Sequence, residues 1–77
     1  MNAKRKTQIE KLQGQLEDIR SQLEDIQSDE QESFDNIPEN LQSTERYENS
    51  EQAVDNLDTA VSSLEEVISS LSEIIER

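Results

Sequence analysis

Apolar residues in the first third of the chain recur at alternating intervals of three and four. The residues that follow this rule are Ile9, Leu12, Leu16, Ile19, Leu23 and Ile26. In an α-helix this spacing aligns the a and d positions of a heptad, written abcdefg, on one side. The pattern predicts a first helix over about residues 7–32, with these six residues as its seam against a second helix. Thr7 and Glu10 have the spacing of a capping box, so residues 1–6 are expected to form a basic tail.

A second, wider apolar pattern fills the last third of the chain. It predicts another helix, over about residues 47–76, in which the a, d and g positions are all apolar. Such a face is broader than the seam of a two-stranded coil and is typical of a helix in a bundle. The residues predicted to mediate self-association are therefore Ala53, Val54, Leu57, Ala60, Val61, Leu64, Val67, Ile68, Leu71, Ile74 and Ile75.

The heptad pattern breaks between the two helices, over about residues 33–46. This segment contains the only proline of the chain, Pro38. Asn36 is a suitable N-cap, and proline is tolerated in the first turn of a helix, so a short helical turn is predicted from about residue 37. Its apolar residues are expected to form a plug over one end of the hairpin, and they are Phe34, Ile37 and Leu41.

Together these elements predict an all-α fold, a helical hairpin of two long antiparallel helices with a short proline-containing connection. The hairpin would be a single domain over residues 7–77. Six seam residues on the first helix face eleven on the second, so a lone hairpin would leave apolar surface in water. A chain of 77 residues with 30% apolar content also has little core of its own. The simplest remedy is a two-fold homodimer that forms a four-helix bundle.

The composition excludes most catalytic and metal-binding chemistry. There is no cysteine and no histidine, so neither a zinc site of the usual kind nor a nucleophile activated by histidine can be built. Paired carboxylates such as Glu17 and Asp18 fall on polar helix faces, where nothing shifts them toward acid–base catalysis. The acidic stretch from Asp29 has Phe34 and Asn40 where a calcium loop needs Gly and Glu. We expect no enzyme activity, no cofactor and no bound metal.

The chain carries nineteen acidic and seven basic residues, a net charge of -12. This charge argues against direct binding to nucleic acid or to an anionic membrane. The sequence has no apolar run long enough to span a bilayer. The basic start is not followed by the apolar segment of a signal peptide, so the expected location is cytoplasmic.

The acids of the second helix cluster on one flank, while the opposite flank is uncharged. Four of them form a row with spacings of three, four and three residues, and we assign them to binding of a protein partner: Glu48, Glu51, Asp55 and Asp58. Successive carboxylates in this row are about 4.5 to 6 Å apart along a helix, comparable to phosphates on a nucleic-acid strand.

The segment from Phe34 to Glu48, FDNIPENLQSTERYE, is the basis of a resemblance to a known protein family. With its pattern Phe-x-Asn-Ile-Pro-Glu-x-Leu-Gln and the heptads that follow, the second half resembles a small acidic helical-hairpin protein of bacteriophages and prophages, a family generally without an assigned function. The resemblance implies a viral origin, for which the expected location is the cytoplasm of the bacterial host, and it supplies no catalytic residue. Small acidic phage proteins include inhibitors of bacterial defence that imitate nucleic acid. Two hypotheses remain open, a self-associating scaffold or adaptor and an anti-defence inhibitor that occupies a basic groove.

Overall fold

The computed structural model describes residues 1–77, and it is a helical hairpin. Helix α1 spans Ala3–Asp35 and helix α2 spans Glu45–Glu76, and the connection between them contains one 3-10 turn, Glu39–Leu41. The two helices run antiparallel along each other and form a rod with extents of 59 × 14 × 14 Å. The predicted all-α hairpin class is thus confirmed.

Helix α1 begins earlier than the sequence pattern predicts. Its N-cap is Asn2, whose Oδ1 accepts a hydrogen bond from the backbone N–H of Arg5 at 2.9 Å. Thr7 lies inside the helix, where its hydroxyl donates to the carbonyl of Ala3 at 3.1 Å. The prediction of a separate basic tail over residues 1–6 is therefore wrong. Ala, Lys and Arg are good helix formers, and a cap at Asn2 is enough to extend the helix through them.

The connection also differs in detail from the prediction. Asn36 caps the C-terminus of α1, since its backbone N–H donates to the carbonyl of Glu32 at 3.1 Å. The short turn begins after Pro38, two residues later than expected. Helix α2 then begins at Glu45, because Thr44 caps it by accepting from the N–H of Tyr47 at 3.3 Å. Each helix boundary is set by a side-chain or backbone cap, and the periodicity of the apolar residues does not reveal such caps.

Apolar residues of the connection close the turn end of the hairpin. The rings of Phe34 and Tyr47 lie 4.8 Å apart between centroids, and this contact joins the end of α1 to the start of α2. Ile37, whose backbone N–H donates to the carbonyl of Phe34 at 3.2 Å, is buried, with 8% of its surface exposed. Leu41, the third residue of the predicted plug, is exposed at 38%. The turn end is therefore closed by the paired rings of Phe34 and Tyr47 and by buried Ile37, while Leu41 lines a groove together with Ile37.

The core of the hairpin is thin. Only Ile37, Val61 and Ile68 are buried, and no residue is wholly removed from solvent. Neither helix has a stretch that is long and apolar enough to cross a lipid bilayer.

Candidate interaction surfaces

The side of α1 that faces α2 alternates apolar and polar residues. Its a positions, Ile9, Leu16 and Leu23, are half-buried and carry the apolar contact. The e positions, four residues further along each heptad, are half-buried as well. They hold Gln13, Arg20 and Gln27. The inner face of α1 is thus centred between a and e, not between a and d.

Two of these polar residues hydrogen-bond to α2 and fix its register. The Gln13 side-chain amide donates to the Ser72 hydroxyl and, at 3.3 Å, to the carbonyl of Ile68. The Gln27 amide donates to the Asp58 carboxylate at 3.2 Å. Gln27 follows Gln13 by two heptads, and Asp58 precedes Ser72 by two heptads. The two bonds therefore mark a single antiparallel register along one side of the hairpin.

Arg20 lies midway between the two glutamines on the same side. Its Nε is 3.4 Å from a carboxylate oxygen of Glu24, one turn further along α1. The register places Arg20 across from Glu65 on α2, yet Glu65 is exposed and forms no ion pair with it. The Arg20 Nε is buried without a hydrogen-bond partner. Between the two glutamines, Arg20 therefore contributes its aliphatic stem and an ion pair within α1, and no polar bond to α2.

Three of the six predicted seam residues do not face α2. Leu12, Ile19 and Ile26, the d positions of α1, are exposed at 54%, 46% and 53%. The prediction that they line the hairpin seam is corrected. Positions d and e both adjoin a on a helix, and α1 is rotated toward e, where Gln13 and Gln27 bond to α2. The rotation leaves an apolar stripe with a seven-residue repeat on the outside of α1.

The predicted self-association residues of α2 divide into three groups. Val61 and Ile68 are buried against α1 within the hairpin, so they are not free for a second chain. Val67 is exposed at 46%. The remaining eight are half-buried, and they are Ala53, Val54, Leu57, Ala60, Leu64, Leu71, Ile74 and Ile75. Helix α2 therefore uses its a positions for the hairpin and keeps its d and g positions partly open.

The open d positions of α1 lie on the same side of the rod as the d and g positions of α2. A groove near the turn is lined by Ser33 of α1 together with Arg46 and Ser50 of α2. Ser33 follows Ile26 by one heptad, while Ser50 and Arg46 precede Leu57 and Ala53 by one heptad. Because both helices keep the seven-residue repeat, the d positions of α1 and the d and g positions of α2 share this side along the rod. We call this side the apolar face, and its residues are Leu12, Ile19, Ile26, Ala53, Leu57, Ala60, Leu64, Val67, Leu71 and Ile74.

The opposite side of the rod is acidic. A second open groove there is lined by Glu24 and Gln27 of α1 and by Glu65 of α2. The four residues assigned to partner binding are all exposed, and Asp58 lies at this groove because it accepts from Gln27. We call this side the acidic face, and its residues are Glu10, Glu17, Glu24, Glu48, Glu51, Asp55, Asp58 and Glu65. No cluster of carboxylates is arranged to hold a metal ion.

Comparison with known proteins adds no relative. No protein-family model, curated protein or solved structure matches the chain.

Proposed function

We propose that this protein is a non-enzymatic, acidic helical hairpin that self-associates through its apolar face and binds a protein partner with its acidic face. The role is that of a phage-type scaffold or adaptor in the bacterial cytoplasm. One observation carries the proposal: the hairpin buries only three residues and leaves the apolar face partly exposed, with Leu12, Ile19 and Ile26 of α1 and Val67 of α2 about half exposed. Contiguous apolar surface of this kind marks an interaction site.

Size and charge support the same proposal. A two-helix hairpin of this length gains little from its own thin core, so association would supply the missing burial. Separating the two faces lets one side of the rod be covered while the other remains in solvent. The acidic face then carries carboxylates that are available to basic groups of a partner, which favours fast, charge-steered binding.

The self-association half of the proposal is tested at Leu64. Replacing this half-buried residue with Asp places an unpaired charge in the proposed contact, which association cannot tolerate. We expect Leu64→Asp to have the mass of a single chain by light scattering. Ser62→Asp is the matched control, because Ser62 is exposed and lies outside the apolar face. A Leu64→Asp variant that keeps the multimeric mass of the wild-type protein would exclude this face as the contact.

The row of Glu48, Glu51, Asp55 and Asp58 favours a second candidate function. All four are exposed on one continuous helix, so their carboxylates form a row of about 15 Å along α2. A row of this kind fits a small anti-defence inhibitor that occupies the basic, nucleic-acid-binding groove of a host immune protein. The helix would then stand in for the phosphate backbone.

This second function predicts competition with DNA. Added to a purified bacterial defence nuclease with a basic DNA-binding groove, the protein should displace a labelled duplex, and less so as salt rises. Changing Glu48, Glu51 and Asp55 to Lys should abolish displacement while leaving helical content intact, and Asp58 is kept because it accepts a hydrogen bond from Gln27. A control variant with three reversals on the outer side of α1, Asp18→Lys, Asp25→Lys and Glu32→Lys, should still compete. Equal loss in both variants would mean that net charge alone acts, which contradicts a specific row.

A further inference from the structure

The apolar face is shared by both helices, and this gives the contact between two copies a definite geometry. We propose that its occupant is the same face of a second copy, packed with the two hairpin turns at opposite ends of a four-helix bundle. A two-fold axis would cross the rods near Ile19 of α1 and Leu64 of α2. The inference rests on the proposed self-association and adds its surface, its direction and the role of the α1 stripe.

The face offers apolar surface on both helices. Its residues extend about 32 Å along α2, from Ala53 to Ile74, and about 21 Å along α1, from Leu12 to Ile26, in a rod 14 Å wide. Because Leu12, Ile19 and Ile26 are about half exposed, α1 would contribute burial that α2 alone cannot supply. The contact is therefore made by both helices and not by α2 alone.

Charge selects a second copy of this face as the occupant. Two chains of net charge -12 repel each other wherever their acids meet. On α2 no d or g position is acidic between Arg46 and Ile74, and on α1 the d and g positions from Gln8 to Ile26 are uncharged. Carboxylates line this side near the turn, at Glu30 and Glu45, and two copies that meet through the apolar face itself bring no carboxylates together.

Side-chain sizes on α2 select the antiparallel direction. The g positions grow along the helix in the order Ala53, Ala60, Val67 and Ile74. With the axis at Leu64, Ala53 lies opposite the partner's Ile74, and Ala60 lies opposite the partner's Val67. Each small residue therefore meets a larger one, which keeps the separation of the two α2 helices uniform. Turns at the same end would instead place α2 against α1 of the second copy and lose this match.

The α1 stripe has the same symmetry. Ile19 lies at its centre and would meet its own copy across the axis, while Leu12 would meet the partner's Ile26. The stripe continues to Arg5 at one end and Ser33 at the other, so an apolar centre is closed by polar residues on both sides.

Charge along the rod points to the same direction. The turn end, residues 28–50, has seven acids and one base. At the open end, residues 1–11 have four bases and one acid, and residues 67–77 have one base and two acids. When the two turns lie at opposite ends, the basic open end of each copy lies over the acidic turn end of the other. When the turns lie at the same end, the two acidic turn ends lie together.

Cysteine crosslinking tests the geometry, because the natural chain has no cysteine. Ile19→Cys should form a disulfide-linked dimer on mild oxidation, since the two sulfurs would meet at the axis. Leu12→Cys alone should not crosslink, because Leu12 lies opposite the partner's Ile26. The partner's residue 12 is fourteen residues from that point, about 21 Å along the helix. An equal mixture of Leu12→Cys and Ile26→Cys chains should crosslink. Ser21→Cys, exposed on another side of α1, sets the background.

The outcomes separate this inference from the proposed function. Efficient crosslinking of Ile19→Cys and of the mixture, with Leu12→Cys at background, supports opposite turns. A dimer in which Ile19→Cys stays at the Ser21→Cys background overturns the geometry and leaves self-association standing. The same holds for a dimer in which Leu12→Cys crosslinks to itself. A single-chain mass for the wild-type protein at every concentration overturns both the geometry and the proposed self-association.

Discussion

At the scale of single residues, Gly14 is a weak point in an otherwise regular helix. It lies in the first half of α1 at an exposed position, and a Cβ placed on it would meet no atom within 4 Å. Glycine in a helix interior costs conformational entropy without a compensating contact here. Nothing in the hairpin requires this glycine.

Gly14→Ala should therefore stabilise the protein. We expect a gain of about 1 kcal/mol in the free energy of unfolding per chain, the usual difference between Gly and Ala inside a helix. Urea unfolding followed by circular dichroism measures it, and the midpoint should rise with an unchanged slope. Because Gly14 lies outside the apolar face, the solution mass should not change. A fall in the midpoint would show that glycine makes a contact that the hairpin alone does not contain.

At the scale of the elements, the aromatic pair at the turn holds the two helices in register. Phe34 ends α1, Tyr47 begins α2, and their rings are in contact. Ile37 of the connection is buried, while Leu41 of the same connection is exposed. The contribution of the turn thus comes from two aromatic rings and one aliphatic side chain.

Phe34→Ala should lower the free energy of unfolding by about 2 kcal/mol, roughly half the cost of removing a fully buried Phe, because the ring is half-buried. Thermal unfolding by circular dichroism reads this out. Leu41→Ala is the comparison, since it removes an apolar side chain from the same connection at an exposed position and should cost well under 1 kcal/mol. Equal losses in the two variants would refute the role given to the ring pair.

The rotation of α1 about its own axis could not be predicted from the sequence. Heptad spacing is enough to predict two helices, their antiparallel pairing and the a positions that meet. It does not decide whether d or e completes the inner face, because both lie beside a on the helix surface. That choice depends on which side chains of α2 lie opposite the e positions of α1. Here Gln13 hydrogen-bonds to Ser72, and Gln27 hydrogen-bonds to Asp58. A repeat of Gln, Arg and Gln at e was visible in the sequence, but its partners were not.

The helix ends show the same limit. Asn2 and Thr44 begin the helices because their side chains accept backbone hydrogen bonds, while Thr7 has a suitable sequence and lies mid-helix. A capping pattern identifies a residue that is able to cap, and the neighbouring turns decide whether it does.

At the scale of the whole molecule, the rod has two unlike sides. The apolar face and the acidic face lie on opposite sides of one hairpin, so covering the first leaves the second in solvent. A face-to-face dimer would present two acidic faces, one on each outer side. Such a molecule is suited to linking two copies of a partner, which is what an adaptor requires.

The mass of the wild-type protein in solution shows whether a second copy covers the apolar face. Light scattering should be recorded across a wide range of protein concentration and from low to high salt. We expect about twice the chain mass of 8.9 kDa, retained or strengthened as salt rises, because salt screens the repulsion between acidic chains and leaves apolar contact intact. A mass of one chain at every concentration and salt would mean that the apolar face has no second copy to cover it, and self-association would be excluded.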